Sequence, residues 1–84
     1  MFVLVFAKSA RADLIFLNSK QENLIRKKIQ ILKTNPFPVG KNPKRLQGTS
    51  SYRLRAGDYR IIYEVNENEV NIYKISHRKD AYRL

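Results

Sequence analysis

The fold is decided by one stretch of the chain, Tyr52-Arg53-Leu54-Arg55-Ala56-Gly57-Asp58-Tyr59-Arg60-Ile61-Ile62-Tyr63. Successive side chains of a strand point to opposite faces, so in its first half the apolar residues share one face and the arginines share the other. A two-residue turn at Gly57-Asp58 would make the stretch a tight β-hairpin. In that hairpin Arg55 lies opposite Arg60. Arg53 then lies opposite Ile62.

The two facing arginines would repel each other. Like charges directly opposite destabilise a sheet, by an amount of the order of the ~0.2–1 kcal/mol that a favourable cross-strand pair contributes. A hairpin that only had to be stable would not contain such a pair, so an anionic ligand is indicated. The alternative is that the arginines line a solvated face, as antiparallel sheets commonly have. The other face is predicted to be core, from residues at period two: Leu54, Tyr59, Ile61, Tyr63 and Val65.

The chain carries a strong positive charge for its length. Seventeen Lys and Arg residues against seven Asp and Glu give its 84 residues a net charge of +10. We expect one small domain over residues 1–84, and a sequence pI near 10.2 is typical of a nucleic-acid-binding surface. A membrane surface is the rival anion, but it favours a basic amphipathic helix with apolar anchors. The apolar residues here are assigned to a core, so nucleic acid is the favoured ligand class.

Composition also excludes several kinds of site. The chain has no cysteine and one histidine, so disulfides are excluded and a dedicated metal site is not expected. No cofactor is implied. The apolar run Phe2–Ala7 is too short for a signal peptide, and no stretch approaches the ~20 apolar residues of a membrane span. We therefore expect a soluble, cytoplasmic protein.

Two helices are predicted between a first strand and the hairpin. The run Phe2–Ala7 predicts a strand that is covered on both faces. Ser9 is the expected N-cap of a short helix that ends near Asn18. The Ser-x-x-Glu spacing of residues 19–22 is typical of a capping box, so a second helix should follow at once and form an antiparallel hairpin with the first. The apolar stripe of this second helix consists of Leu24, Ile25, Ile29 and Leu32.

The remaining elements are a loop and three strands. Residues 39–51 are expected to form a glycine-containing loop that carries Lys41, Lys44 and Arg45. The two hairpin strands follow, then a turn at residues 66–69 and a last strand at residues 70–75. The order of one strand, two helices and three strands indicates an α+β fold. We expect an antiparallel-rich sheet with the helical hairpin packed on one face.

The single histidine follows the last predicted strand, in the segment Ser76-His77-Arg78-Lys79-Asp80-Ala81-Tyr82-Arg83. A lone histidine is more often structural than catalytic. Here it lies between a strand end and two cations, and Tyr82 follows five residues later. These neighbours favour a hydrogen-bonding or proton-transfer role beside a bound phosphate.

Three segments of the chain carry a resemblance to a known family: residues 46–48, the hairpin from Tyr52 to Glu64 and the tail from Ile75 to Arg83. Together they resemble the RelE/ParE superfamily of type II toxin–antitoxin toxins. The resemblance implies a RelE-like fold. It also implies the activity of the RelE branch, a metal-independent endoribonuclease that cleaves mRNA in the ribosomal A site. In that reaction the 2′-hydroxyl of the RNA attacks the adjacent phosphate.

The resemblance assigns roles to residues of the hairpin and the tail. The residues that it implies bind RNA are Arg45, Arg53 and Arg55. The residues that it implies are catalytic are Arg60, His77, Arg78 and Tyr82. The chain departs from RelE at Gln47, where RelE has an arginine, and at two hairpin arginines that replace lysines. Arginine is effectively never a neutral base, so the proton transfers fall to His77 and Tyr82, with acid and base unassigned.

The resemblance also implies partners. A cognate, RelB-like antitoxin is expected, and a net charge of +10 favours an acidic, partly disordered segment that folds on binding. Toxin and antitoxin would form a hetero-oligomer, and the ribosome and mRNA are the implied targets. Two alternatives stay open: a ParE-like, non-enzymatic toxin that inhibits DNA gyrase, and a nucleic-acid-binding module that does not cleave.

Overall fold

The structure of the protein, a computed structural model, describes residues 1–37, 43–46 and 48–77. Their elements follow the order strand, helix, helix and then four strands. The strands are β1 (Val3–Phe6), β2 (Lys44–Arg45), β3 (Ser51–Ala56), β4 (Tyr59–Asn66) and β5 (Glu69–His77), and the helices are α1 (Lys8–Ile15) and α2 (Ser19–Ile31). Neither of these two helices is long and apolar enough to cross a membrane.

The five described strands form one mixed sheet in the spatial order β1-β5-β4-β3-β2. β1 pairs with β5 in parallel, and the other neighbours are antiparallel. The predicted α+β class and antiparallel-rich sheet are confirmed, but the sheet has a further strand. This strand, β2, lies in the segment that was expected to be a loop. It is a strand because Lys44 pairs with Arg53 and Arg45 pairs with Tyr52. Two residues are too few to show a period-two pattern, so the sequence carries no strand signal there.

The β3–β4 hairpin has the predicted register. Arg55 pairs with Arg60, and Arg53 pairs with Ile62. Gly57 has a φ of 61°, in the left-handed region that glycine enters without a steric penalty. A Cβ atom at Gly57 would also lie 3.2 Å from Leu24 Cδ2 of α2. The turn is therefore fixed by its own backbone conformation and by the helix packed against it.

The core lies between the helices and one face of the sheet. α1 contacts β1 and β5, while α2 contacts β3. The largest fully buried apolar and aromatic side chains from the helical region and sheet are Tyr63, Ile25, Ile29, Leu32, Ile61, Ile72 and Val70. Leu24, predicted in the apolar stripe of α2, is 41% exposed and lies beside the hairpin turn rather than in the core. Tyr63 stacks on Tyr52 with 5.4 Å between ring centroids, and its hydroxyl donates to the Pro36 carbonyl at 2.6 Å.

β1 is an edge strand, which corrects the expectation that its apolar run is covered on both faces. Val3 and Val5 are 52% and 37% exposed. Leu4 and Phe6, which alternate with them, pack against the core. The contacts of α1 and α2 bury one side of the sheet, so every second residue of an apolar run still points to solvent.

Helix α1 continues along the edge of β5 where β1 ends. Ser9 Oγ donates to the Tyr73 carbonyl at 2.5 Å, and Asp13 Oδ2 accepts from the Ile75 amide at 2.9 Å. The helix thereby satisfies backbone groups that an edge strand would leave unpaired. The helix begins at Lys8, so its N-cap is Ala7 and not Ser9, and the serine hydroxyl binds the strand instead of capping the helix.

The capping box of α2 also lies one residue earlier than predicted. Asn18 is the N-cap, its Oδ1 accepts from the Gln21 amide at 2.8 Å, and Gln21 Oε1 accepts from the Asn18 amide at 3.2 Å. The sequence contains two overlapping boxes, since Ser19 and Glu22 have the same spacing. Glu22 instead accepts from Arg26 at 2.7 Å, one turn further along the helix.

Tyr63 contributes to the response of the fold to alkaline pH. Burial, and after it the charge of neighbouring Tyr52, raises the pKa of Tyr63 well above its usual range. The unfolded chain releases this proton near pH ~10 and the folded chain keeps it. The contribution to the free energy of unfolding is therefore full below pH ~10 and declines as the pH rises above it. Tyr63→Phe should flatten this decline, while the Pro36 carbonyl that loses its donor costs about 1–3 kcal/mol at neutral pH.

Urea unfolding of wild type and variant between about pH 8 and 11 measures both effects, since the pH window brackets the ionisation of an ordinary tyrosine. Tyr73→Phe is the matched control, because Tyr73 is 38% exposed. If the alkaline decline has the same slope in all three proteins, Tyr63 does not hold its proton as described.

Candidate nucleic-acid interface

Among the described residues, four cations of β2, β3 and β4 share the side of the sheet that points away from the core. Arg60 alternates with buried Ile61 along β4, and its partner on β3 is Arg55. Arg53 lies two residues from Arg55 and therefore on the same side. β2 adds Lys44, which pairs with Arg53. We call Lys44, Arg53, Arg55 and Arg60 the basic face.

The basic face is partly desolvated. Arg55 is exposed, whereas Arg53 and Arg60 are half-buried. Arg53 Nε is buried and makes no hydrogen bond to any residue that the structure describes. A buried donor without an acceptor costs about 1–3 kcal/mol. A ligand oxygen that accepts from this N–H would remove that cost.

Arg55 and Arg60 face each other across the hairpin, as the sequence predicted. Opposed Cβ atoms of an antiparallel pair lie about 4.5–5.5 Å apart, so two positively charged side chains start from neighbouring positions of the sheet. A phosphate bound there would accept hydrogen bonds from both, because the guanidinium fork matches phosphate oxygens. Alternate residues of a strand are about 6.8 Å apart. Arg53, two residues from Arg55 on β3, therefore lies about 6.8 Å from it along the strand.

Arg45 lies on the opposite side of β2 from Lys44. Its partner is Tyr52, which packs against the core, so the register separates Arg45 from the basic face. The resemblance pointed to Arg45, and the structure places Lys44 beside Arg53 instead. Lys44 and Arg45 both line one open groove of about 720 Å³ at this edge of the sheet. Sequence reasoning missed Lys44 because the side to which a strand residue points is known only once the pairing is known.

His77 is the last residue of β5 and does not follow the strand. The strand runs Glu69–His77 rather than over residues 70–75. His77 pairs with Tyr59, and the two rings meet edge to face with centroids 5.1 Å apart. Tyr59 packs against the core, so the register puts His77 on the helix side and Arg60 on the other. The structure does not bring His77 together with the basic face.

Arg78 and Tyr82 lie outside the described residues. The roles that the resemblance implies for them stay predictions. The structure thus brings together three residues of the predicted site and adds a fourth. The three are Arg53, Arg55 and Arg60, and the fourth is Lys44.

β5 contributes a further cation on this side, Lys74, which pairs with Ile62. Lys74 Nζ lies 3.3 Å from Asp13 Oδ1 of α1. This ion pair offsets the charge of Lys74 at the β5 end of the sheet. Lys44 of β2 and Arg53 of β3 have no such acidic partner among the residues that the structure describes.

Comparison with known proteins identifies one family. The family model for the ParE toxin of the type II toxin–antitoxin system parDE matches residues 4–82. No curated protein sequence matches the chain.

Solved structures with this fold include two archaeal complexes. A chain of the RelE–RelB complex from Pyrococcus horikoshii OT3 is 29% identical with a TM-score of 0.79, and the match covers 99% of this chain and 98% of that chain. A chain of the RelB–RelE antitoxin–toxin complex from Methanococcus jannaschii is 29% identical with a TM-score of 0.76, covering 93% and 94%. The intact E. coli RelBE toxin–antitoxin complex, at 23% identity and a TM-score of 0.77 over 92% and 96%, shares the fold.

Removal of a cation from the basic face should weaken the binding of a polyanion more than removal of one from the helices. Binding of single-stranded RNA loses about 0.7 log unit of affinity per decade of salt for each phosphate contact. Arg53→Ala should reduce that slope by about 0.7. The control, Arg11→Ala, removes the same charge from the exposed surface of α1 and should leave the slope unchanged. Equilibrium binding of a labelled oligoribonucleotide at several salt concentrations measures this, and equal slopes for the two variants would place the interface elsewhere.

Proposed function

The chain belongs to the ParE toxin family of type II toxin–antitoxin systems, within the RelE/ParE superfamily, and from this premise we propose that it is a metal-independent endoribonuclease that cleaves mRNA in the ribosomal A site. The observation that carries the proposal is the facing pair Arg55 and Arg60, with half-buried Arg53 on the next row. Such a cluster suits the phosphodiester groups of an RNA strand.

RNA supplies the nucleophile for this reaction. The 2′-oxygen attacks the adjacent phosphorus, the bond from phosphorus to the 5′-oxygen breaks, and the products are a 2′,3′-cyclic phosphate and a 5′-hydroxyl. One proton leaves the 2′-hydroxyl and one reaches the 5′-oxygen. The protein has to hold the attacking and leaving oxygens in line and stabilise the negative charge that grows between them. DNA lacks the 2′-hydroxyl, which confines the reaction to RNA.

The basic face supplies charge and orientation. In this proposal Arg60 stabilises the phosphoryl oxygens in the transition state, while Arg53 and Arg55 position the phosphate. Lys44 extends the cationic surface along the strand. Guanidinium groups keep their proton, so none of these arginines acts as the base.

The proton transfers belong to the tail in this proposal. The resemblance implies that they fall to His77 and Tyr82 and gives Arg78 a share in stabilising charge. His77 contacts the Tyr59 ring on the helix side of the sheet. Its position supports a role in orienting the end of β5, from which the tail departs, rather than direct contact with the phosphate bound by Arg60.

An antitoxin partner is part of the proposal. Two structures that are 29% identical to this chain are complexes of RelE with RelB. A RelB-like antitoxin of this chain would meet a surface with a net charge of +10. Acidic side chains on the antitoxin would complement it and speed association. An antitoxin that covers the basic face would prevent RNA from binding there.

Inhibition of DNA gyrase is the second candidate, because the family model that matches the chain is that of ParE. A ParE-like toxin would bind its target without cleaving RNA. Purified protein added to translating ribosomes, followed by sequencing of the mRNA ends, separates the two functions when it is combined with a gyrase supercoiling assay. Cuts in phase with codons support the ribonuclease. Loss of supercoiling with intact mRNA would replace it with the gyrase function.

Arg60→Ala should abolish cleavage while the fold is retained. Loss of one preorganised charge donor costs about 10²–10³ in rate, by analogy with an oxyanion-hole donor. Arg60 lies on the side away from the core, so its truncation opens no core cavity. We expect the thermal midpoint to move by no more than the ~4–8 °C that corresponds to ~1 kcal/mol in a domain of this size. Arg11→Ala is the control of equal charge, and an Arg60→Ala protein that unfolds or cleaves normally would contradict the assignment.

His77→Ala should cost much less activity than Arg60→Ala. A side chain that itself transfers a proton contributes about 10²–10⁴ in rate, whereas His77 lies on the other side of the sheet from Arg60. We expect a loss of less than about tenfold, well below that range. Single-turnover cleavage of mRNA on ribosomes measures it. A loss of the same size as that of Arg60→Ala would show that His77 reaches the reacting phosphate.

A further inference from the structure

A carboxylate lies on the same side of the sheet as the basic face. Glu64 follows Arg60 and Ile62 at period two along β4, and its partner on β3 is Ser51. The row of Ser51 and Glu64 is adjacent to the row that contains Arg53, about 6.8 Å along the strands. An acidic group therefore stands at the end of a line of cations.

Hydroxyl groups hold this carboxylate. Ser50 Oγ and Ser51 Oγ donate to Glu64 Oε1 at 3.2 and 3.3 Å, and Tyr73 OH donates to Oε2 at 3.5 Å. Among the described residues no cation forms an ion pair with it, whereas Glu22 of α2 pairs with an arginine at 2.7 Å. Hydrogen bonds of more than 3 Å from hydroxyl groups are weak. They orient the carboxylate and leave its oxygens able to accept from stronger donors.

A β-bulge adds an aromatic ring beside the carboxylate. Ile62 pairs with Lys74, but the next residue of β4 pairs with Ile72. Tyr73 is therefore the extra residue of β5, and bulges of this kind re-aim a side chain. Tyr73 and Lys74, although consecutive, both lie on the side of the basic face. Tyr73 is 38% exposed, so part of its ring is open to a ligand.

We propose that Glu64 and Tyr73 form a subsite for a guanine base of the RNA strand that the basic face binds, an inference that rests on the RNA-binding function proposed above. Guanine presents two adjacent donors, N1–H and N2–H, on its Watson–Crick edge, and one carboxylate accepts from both. Adenine and cytosine present one donor beside an acceptor, which a carboxylate repels. The Tyr73 ring supplies a surface on which the base stacks.

Charge also decides which part of the RNA occupies this row. A phosphate is attracted to the rows of Arg53 and Arg55 and is repelled by Glu64. A neutral base with two donors is the part of a nucleotide that suits a carboxylate. The spacing of about 6.8 Å between rows is comparable with one nucleotide of an extended strand. The base bound at Glu64 is therefore a neighbour of the phosphate bound at Arg53.

Equilibrium binding of 2′-deoxy-substituted oligouridines, each carrying one guanine, adenine or cytosine, tests the subsite without cleavage. Wild type should bind the guanine oligomer about tenfold more tightly than the other two, the lower end expected for a bidentate base contact. Glu64→Gln presents one donor and one acceptor, the pattern that complements adenine and cytosine, so the preference should move from guanine to these two bases. Tyr73→Ala should weaken all three oligomers and keep their ranking. Glu67→Gln, in the exposed turn after β4, is the control of equal charge and should behave as wild type.

Each result bears on one proposal. Equal affinity of wild type for the three oligomers, or an unchanged guanine preference in Glu64→Gln, would overturn the subsite. The wild-type ranking tests it even if a variant does not fold. A guanine preference without any mRNA cleavage on ribosomes would remove the ribonuclease function and keep the subsite. Cleavage without a base preference would remove the subsite and keep the ribonuclease function.

Discussion

The register of the β3–β4 hairpin is the constraint on which the rest of the molecule depends. A shift of one residue would turn every side chain of a strand to the other face. The arginines of β3 would then enter the space in which Ile25, Ile29 and Tyr63 are buried. Burial of unpaired guanidinium groups is far more costly than the loss of one apolar contact. The charges that make the hairpin a binding surface therefore also exclude its wrong register, and Gly57 closes the turn that holds the right one.

The central position of the hairpin strands lets one sheet serve two purposes. β4 has β3 on one side and β5 on the other, so its backbone is paired along both edges. Arg60 and Glu64 are thus carried by a strand whose opposite face holds Ile61 and Tyr63 in the core. The like-charged pair Arg55 and Arg60 lies on strands that are held by this burial. A sheet with one buried face can tolerate an unfavourable pair of ~0.2–1 kcal/mol on the other.

Local features of this fold were predictable from the sequence, and features that depend on distant pairing were not. The hairpin register and the separation of arginines from core residues follow from a turn signal and a period of two within one stretch. β2 could not be found, because a strand of two residues, Lys44–Arg45, carries no period. The side of the sheet on which His77 lies depends on the length of β5. The side on which Arg45 lies depends on its pairing with Tyr52. The resemblance implies RNA binding by Arg45, which stays a prediction, and the pairing adds its neighbour Lys44 to the basic face.

The distribution of charge across the sheet follows from the way its edges are closed. At the β5 edge, α1 replaces a strand partner, and its Asp13 accepts from the Ile75 amide and pairs with Lys74. One acidic residue thus completes the edge and offsets a cation there. At the other edge the short strand β2 brings Lys44 beside Arg53 with no such compensation among the described ion pairs. The positive potential therefore rises from β5 toward β2, and a polyanion approaching the sheet is drawn to the hairpin side.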